Sequence, residues 1–487
     1  MSDRCASRAG DLAGQRVTVM GLGLFGGGAG AARWAMEQGA RVTITDQKDR
    51  TALADVVEGL ESVDAPHAPR FTLGGHEPAD FEDADVLIVN PAVPPSSPWI
   101  ERARRHGARV TSDIALLLER NPARVVAVTG THGKSSTASF IKGLVERALE
   151  PEARCLLGGN IGVSLLQHLG ALSPRDVLVL ELSSYQLEHL SNDARPSVEV
   201  AAITNIGVDH LERHGSVESY RDAKLRIVDL VHPGGCAILP AGEVAELVKG
   251  RSTAQVFTHG ADADFSLTGS DLLDRRSGEA VPVADATSLQ VPGDFQPQNL
   301  LVALAAGLSL GFDAASLRPA IPHLEGLSHR MESLGQFTAG LAAFELIDNG
   351  ISTTPESTLA AVESVRSPGP SLLIAGGQAK RGVDLGALTN ALARSGGWVL
   401  IPFGAAAEAL SRAARDAGAA VDDEVRCESA EQAAARAVSL AKRDGATTVL
   451  FSPACASFDR YPNFKVRAMA FRRTLRELTE VPAGAPR

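Results

Sequence analysis

The stretch Val125–Ser139 constrains this chain more than any other. Four consecutive apolar residues, Val125 to Val128, predict a buried strand. The strand stops at Thr129-Gly130, and a tight loop follows, Gly130-Thr131-His132-Gly133-Lys134-Ser135-Ser136. A helical spacing then runs through Phe140, Ile141, Leu144 and Val145. Strand, glycine loop and helix together make a phosphate site. Glycines let backbone N–H groups approach the oxygens, and the helix N-terminus adds partial positive charge. Lys134 then reaches the β/γ-phosphates, and the Ser135 hydroxyl can ligate Mg²⁺. The longer spelling G-x-x-x-x-G-K-[ST] fails, because its first glycine would fall at Val128. A glycine loop beside a lysine can be a plain helix cap; the strand before it and the helix after it favour phosphate.

A chain of 487 residues holds about three domains at ~150 residues each. Their expected spans are 1–121, 122–326 and 327–487, with Asn121-Pro122 as the first linker. No apolar run approaches the ~20 residues of a membrane span, and Met1 to Arg8 lacks the apolar core of a signal peptide. A net charge of -11 argues against non-specific nucleic-acid binding. The five scattered cysteines contain no C-x-x-C pair, so reduced thiols, no zinc site and a cytoplasmic location are expected.

In the first segment, Arg16–Met20 and Arg41–Asp46 read as strands flanking Gly21-Leu22-Gly23-Leu24-Phe25-Gly26 and a helix over Ala31–Gln38. Asp46 lies 20 residues past Gly26, where a dinucleotide fingerprint places its ribose-binding acid. Alone, this unit is either a nucleotide site or a glycine turn that packs helix on strand. Further strands are expected at Asp85–Asn90 and Ala108–Thr111. Between them the prolines of Asn90–Pro98 forbid a helix and predict an extended loop at a strand end, where α/β sheets bind ligands.

The central segment adds Gly158-Gly-Asn-Ile-Gly162, an apolar strand ending at Glu181, and a strand over Val200–Ile206 leading to Asp209-His210. Glu181 at its strand end is either a Mg²⁺ ligand or a surface cap. His210 is either a metal or phosphate ligand or a structural histidine. Lys224, on a predicted helix, reads by spacing alone as a solvated lysine. An alanine-rich helix is expected over Leu300–Leu310. In the last segment strands at Phe344–Ile347, Ser371–Ala375, Trp398–Pro402 and Thr447–Phe451 alternate with helices, another βαβ-type domain.

Taken in order, Gly130-Thr-His-Gly-Lys-Ser-Ser, Gly158-Gly-Asn-Ile-Gly, Glu181-Leu-Ser-Ser-Tyr-Gln-Leu-Glu, Asp209-His-Leu-Glu-Arg-His, Ala223-Lys-Leu-Arg-Ile, Gly326-Leu-Ser-His-Arg and Ser452-Pro-Ala-Cys-Ala-Ser-Phe-Asp resemble the Mur ligase family, closest to its glutamate-adding members. The resemblance covers nearly the whole chain. It implies three α/β domains: a Rossmann-like first domain that binds a uridine nucleotide and not NAD, a central P-loop-type ATPase domain with a mostly parallel sheet, and a Rossmann-like third domain that brings the amino acid. The implied activity is ATP-dependent amide ligation through an acyl phosphate in cytoplasmic peptidoglycan precursor synthesis, with ATP and Mg²⁺ as cofactors. Its small-molecule substrates are UDP-N-acetylmuramoyl-L-alanine and D-glutamate; no nucleic acid, no membrane insertion and a monomer are expected.

The resemblance also assigns residues. Gly130, Thr131, His132, Gly133, Lys134, Ser135, Ser136, Asn299 and Arg330 fall to ATP. Ser135 and Glu181 hold one Mg²⁺, and His210 with Lys224, carbamylated, serves a second; Lys134, Glu181, His210 and Lys224 form the catalytic set. Leu24, Phe25, Asp46 and Asn160 fall to the UDP substrate, and Thr353, Lys380, Ser457 and Phe464 to the amino acid. The departures are specific. His132 and Ser136 alter the usual G-T-N-G-K-[ST]-T, and Phe295 and Gln296 replace the His-Asn of H-N-x-x-N. Asp348–Thr354 stands where N-D-S-K-A-T-N is usual, so Ile351 occupies the lysine position and either Asp348 or Asn349 the acid. Lys380, Arg381 or Arg330 is expected to compensate. The alanine-adding relatives spell their loop Gly-Thr-His-Gly-Lys too but carry an acid-rich second motif unlike Glu181–Glu188. Other readings are L-glutamate or alanine as the amino acid, folylpolyglutamate synthase, an NAD-dependent dehydrogenase using Gly21–Gly26, and a P-loop switch protein without ligase activity. Cys455, with no base nearby in sequence, reads as a small buried residue.

Overall fold

The computed structural model describes residues 12–22, 27–161, 164–190, 197–249, 254–365, 367–379 and 384–480. It carries three sheets, divided between two compact units.

The first sheet is parallel throughout. Its strands are β1 (Arg16–Met20), β2 (Arg41–Asp46), β3 (Arg70–Leu73), β4 (Val86–Val89) and β5 (Arg109–Thr111), in the order β3-β2-β1-β4-β5. Val86-Leu-Ile-Val is buried at every position, as a strand covered on both faces must be. The helix after β1 runs Gly27–Glu37, four residues earlier at its start than the apolar spacing indicated, because glycines and alanines hide the periodicity there. Residues 91–97 form turns, and Pro98 opens a helix at its first position, where a missing N–H costs nothing.

The second sheet comprises β6 (Arg124–Thr129), β7 (Cys155–Gly159), β8 (Val177–Glu181), β9 (Val198–Ile203), β10 (Val231–Pro240), β11 (Gln255–His259), β12 (Phe265–Thr268), β13 (Asp271–Asp274) and β14 (Val281–Asp285). Their order is β14-β13-β12-β11-β10-β9-β6-β8-β7. Parallel pairing from β7 to β12 gives way to antiparallel pairing at β12–β14. The strand β6 sits inside the sheet between β8 and β9 with Val125 to Val128 fully buried. That burial makes its C-terminal end a rigid place for a loop. The first two sheets share a continuous apolar core, to which Trp34, Met36, Leu117, Leu166, Leu180 and Leu187 contribute.

The second unit contains the third sheet: β15 (Glu332–Ala339), β16 (Ala342–Asp348), β17 (Ser371–Gly376), β18 (Trp398–Phe403), β19 (Ala420–Val421) and β20 (Thr448–Ala454), ordered β15-β16-β20-β17-β18-β19. Only the β15–β16 hairpin is antiparallel. Apolar clusters lie on both faces: Phe344, Phe403, Phe451 and Phe471 on one, Leu373, Leu400, Leu410 and Leu450 on the other. The expected strands and the three-domain α/β architecture are present. No helix among the described residues is long and apolar enough to cross a membrane.

Candidate functional site

The Val125–Ser139 stretch folds as its sequence predicts. From Thr129 the chain turns through Gly130 (φ 151°) and Gly133 (φ 77°), and a helix spans Lys134–Ala148. Both glycines adopt backbone angles that side chains rarely take. A Cβ on Gly133 would also lie 2.3 Å from Asn299 Oδ1. Asn299, on the helix Gln296–Ser309, thus braces the loop, and its Oδ1 accepts from Thr137 Oγ1 at 3.4 Å. Gly133→Ala is expected to weaken ADP binding at least tenfold and lower Tm by several degrees; calorimetric titration and a melting curve check both.

The loop is held by residues the sequence reading did not single out. After β9 ends at Ile203, Thr204 and Asn205 turn toward the loop, which is why the strand stops short of the expected end at Ile206. Thr204 Oγ1 donates to His132 O at 2.6 Å, Asn205 Nδ2 to the same oxygen at 3.0 Å, and His132 N–H to Asn205 Oδ1 at 2.9 Å. Thr131 Oγ1 accepts from Gly207 N–H at 2.8 Å and from the Tyr220 hydroxyl at 3.1 Å. Lys134 Nζ donates to Thr131 O at 2.9 Å, folded back over the loop. Ser135 and Ser136 are buried in the first helical turn.

Lys224 is the largest departure from spacing alone. The helix Val217–Asp229 puts Tyr220 and Lys224 on one buried face, four residues apart. Lys224 is 1% exposed, its Nζ donates to Gly130 O at 2.6 Å, and it sits 4.6 Å from the Tyr220 ring centre. Burial, with the repulsion of Lys134, lowers its pKa to about 7, against a smaller pull from Asp209 and Glu181. Lys134, Glu181, Asp209 and Lys224 are therefore electrostatic neighbours. Asp209 is the acid that sequence reasoning missed; its place beside His210 was the available signal.

Glu181 ends β8, directly beside Val128 of β6. It is 1% exposed, so the surface-cap reading falls away. Its Oε1 accepts from Asn160 Nδ2 at 3.0 Å, while its Oε2 is buried with no hydrogen-bond partner among the described residues. Asn160 is set there by Gly159 (φ 98°), whose missing Cβ would meet Glu181 O at 2.2 Å. An orphan carboxylate oxygen on the strand next to the one that feeds the glycine loop fits a divalent cation. His210 has a left-handed backbone (φ 52°) and is partly exposed. It lies 3.4 Å from Asp209 Oδ2, Glu212 Oε1 and the Tyr185 hydroxyl, and its ring centre is 6.3 Å from that of Tyr220. Tyr220 thus sits between His210 and Lys224.

In the first domain Asp46 closes β2, where its Oδ2 accepts from Leu22 N–H and its Oδ1 from Lys48 N–H, each at 2.9 Å. Leu24 and Phe25 lie outside the described residues, as do Lys380 and Arg381.

In the second unit Asp348 and Asn349 face different partners. The buried Asp348 carboxylate accepts from Gly350 N–H at 2.7 Å, contacts His329 Nδ1 at 2.8 Å and pairs with Arg472, which also pairs with Glu332. Asn349 Nδ2 donates to Ser452 Oγ at 3.0 Å. His329, Glu332 and Asp348 converge closely enough for a metal, but Arg472 already neutralises them. Arg330 follows His329 in a turn closed by Arg330 N–H to Leu327 O at 3.0 Å. Ile351 N–H donates to His329 O at 3.0 Å. Thr353 precedes Thr354, the N-cap of helix Pro355–Ser364; Ser457 is buried; Phe464 opens helix Phe464–Leu478 edge-on to His329.

Beneath these loops lies Arg467, fully buried and missed in the sequence. It donates to Gly350 O at 3.3 Å, Gly376 O at 3.3 Å and Cys455 O at 2.9 Å, at the C-terminal ends of β16, β17 and β20. Burial lowers its pKa to about 10, with Asp459 and Asp348 opposing through space. The Cys455 thiol is buried and pushed up to about 11, so it is no nucleophile at neutral pH.

Comparison with known proteins identifies the lineage. The Mur ligase middle domain matches residues 128–307, and the Mur ligase MurD-like N-terminal domain matches residues 15–112. The UDP-N-acetylmuramoylalanine--D-glutamate ligase of Roseiflexus sp. (strain RS-1) is 33% identical over 486 residues, 96% of this chain and all of that one. That of Geobacter metallireducens is 33% identical over 478 residues, covering 96% of this chain and 98% of its own. Among solved structures, the UDP-N-acetylmuramate-alanine ligase of Thermotoga maritima superposes with a TM-score of 0.58 at 18% identity, over 95% of this chain and 99% of that one. A MurF structure from Acinetobacter baumannii gives 0.58 at 18% identity, over 82% and 92%. These last two share the fold. With that identity sustained along nearly its whole length, the chain belongs to the Mur ligase family, among the UDP-N-acetylmuramoylalanine--D-glutamate ligases.

Proposed function

We propose that this protein joins D-glutamate to UDP-N-acetylmuramoyl-L-alanine at the expense of ATP, in the cytoplasmic synthesis of peptidoglycan precursors. The observation that carries this reading is the buried cluster of Lys224, Tyr220 and Glu181 packed against a short P-loop. The sequence relatives that bear the ligase name support the substrate pair.

A carboxylate is a poor acyl donor at neutral pH. In the proposed reaction the terminal carboxylate of the UDP substrate attacks the γ-phosphate, giving an acyl phosphate and ADP. The glutamate amine then attacks the acyl carbon, loses a proton, and phosphate leaves. Lys134 and the loop N–H groups meet the charge that develops on the transferred phosphoryl group. Mg²⁺ would be held by Ser135 and Glu181, with His210 and a carbamylated Lys224 serving a second ion, and would supply charge neutralisation at the phosphates. Asn160 fixes Glu181 from one side and leaves Oε2 available. Asp46 and Asn160 fall to the UDP substrate, Asn299 and Arg330 to ATP, and Thr353, Lys380, Ser457 and Phe464 to the amino acid. Lys380, Arg381 or Arg330 is the proposed source of the cation that Ile351 lacks.

The test is phosphate release from ATP with UDP-N-acetylmuramoyl-L-alanine and, in parallel, D-glutamate, L-glutamate or no amino acid. Release with D-glutamate alone is expected. Release confined to L-glutamate would keep the mechanism and reverse the stereochemistry. Release with neither would overturn the reading and direct the assay to UDP-N-acetylmuramate with L-alanine.

A further inference from the structure

Besides the shared apolar core, the central domain grips the first domain at a polar loop. After β4 the chain turns through Asn90-Pro91-Ala92-Val93-Pro94-Pro95, and its prolines have no N–H to give. Ala92 N–H bonds to Asn90 Oδ1 at 3.0 Å and Val93 N–H to Asn90 O at 2.9 Å. Three successive carbonyls then need donors from elsewhere. One guanidinium supplies them: Arg213 Nη2 donates to Pro91 O at 3.2 Å and Val93 O at 3.0 Å, and Nη1 to Ala92 O at 3.1 Å. Val93 O also accepts from His189 Nε2 at 2.8 Å, which fixes that nitrogen as protonated.

Arg213 is itself held in place. Its Nε donates to Glu188 Oε2 at 3.0 Å, and its guanidinium lies 4.7 Å from the Tyr185 ring centre. The Tyr185 hydroxyl is 3.4 Å from His210 Nδ1, and Glu188 Oε1 is 3.2 Å from His214 Nδ1. On the other side the clamped loop packs on Gly21, where a Cβ would lie 3.0 Å from Asn90 Cβ and 3.7 Å from Val93 Cγ2. The contacts therefore run without a break from the glycine loop of the first domain to His210.

We infer that Arg213 is a positioning residue: it clamps the 90–95 loop of the UDP-binding domain to the Tyr185–His210 edge of the ATP domain and so sets where the substrate carboxylate meets the γ-phosphate. This rests on the ligase reading above. The fork is essential, since three carbonyls and the Glu188 carboxylate take four of the five donors of arginine, one more than a lysine ammonium carries.

The experiment compares the full chain with Arg213→Ala and Arg213→Lys. Amide exchange of the peptide spanning residues 86–100 is expected to quicken at least tenfold in Arg213→Ala, with the P-loop peptide unchanged. KM for UDP-N-acetylmuramoyl-L-alanine is expected to rise at least tenfold while KM for ATP stays within twofold, and Arg213→Lys to recover only part of the loss. Unchanged loop exchange, or faster exchange with an unchanged KM for the UDP substrate, would overturn the inference. An equal rise in both KM values would mark a general structural role and also overturn it. If Arg213→Ala does not fold, Arg213→Lys and Glu188→Gln carry the same comparison. A parent enzyme that fails to turn over the UDP substrate, while the exchange contrast persists, would sink the ligase reading and not the clamp.

Discussion

Replacing Lys134 by methionine is expected to lower kcat/KM for ATP by ~10³-fold, the scale seen when a preorganised charge is removed from a developing anion. The fold should survive, because Lys134 Nζ folds back on its own loop at Thr131 O, while the turn is fixed by Gly130, Gly133, Thr204 and Asn205. A melting temperature within two or three degrees of the parent's, together with lost phosphate release, is the expected pair of results. Arginine is not expected to rescue, since its planar fork does not fit a niche shaped for a point charge. Retention of a tenth of the parent activity in Lys134→Met would remove this lysine from the catalytic set.

The second large effect concerns Lys224. With a pKa lowered to about 7 by burial and by Lys134, about half of its amine is neutral at pH 7, where an exposed lysine has almost none. A neutral amine adds CO₂: an N–C bond forms, one proton leaves, and the neutral amine becomes an anionic oxygen ligand. Lys224→Ala is expected to lose at least ~10²-fold in kcat, as loss of a metal-site ligand should. Formate or acetate, small enough for the vacated space, should restore part of it. The parent in CO₂-depleted buffer should lose activity and regain it with bicarbonate. The sign of the pH dependence follows. Below about pH 7 Lys224 protonates and cannot hold CO₂, so activity falls with acid. Because its folded pKa is depressed, the unfolded chain binds more protons between about pH 7 and the usual lysine value, and this group's destabilising contribution fades as pH rises through that window. Bicarbonate independence together with full activity in Lys224→Ala would end this account.

Much of the fold was legible because buried parallel strands announce themselves as apolar runs: β1, β2, β6 and β8 fall within a residue or so of their sequence expectation. The ends of elements were less legible. The helix from Gly27 is built of glycine and alanine, which carry little periodic signal, and β9 stops at Ile203 because Thr204 and Asn205 have loop contacts to make. In the site, the P-loop could be read from spacing, whereas Glu181 stayed either a metal ligand or a surface cap until its burial was known. The burial of Lys224 could not, because an isolated lysine on a helix looks solvated until the packing of Tyr220 is known. Arg213 and Arg467 were invisible for the same reason: each acts on backbone carbonyls far away in sequence, and carbonyls carry no residue identity.

Arg467 has a consequence for anyone who would recut the amino-acid preference of this enzyme. Its guanidinium fastens the segments at the C-terminal ends of β16, β17 and β20 to one another through Gly350, Gly376 and Cys455. A segment transplanted from a relative into any one of them inherits the obligation to present its carbonyl at the same spot, or the other two lose their shared anchor. On the proposed reading, in which the third domain brings the amino acid, selectivity is therefore a property of three segments that must be exchanged together, and a library that varies them one at a time will mostly sample broken triads.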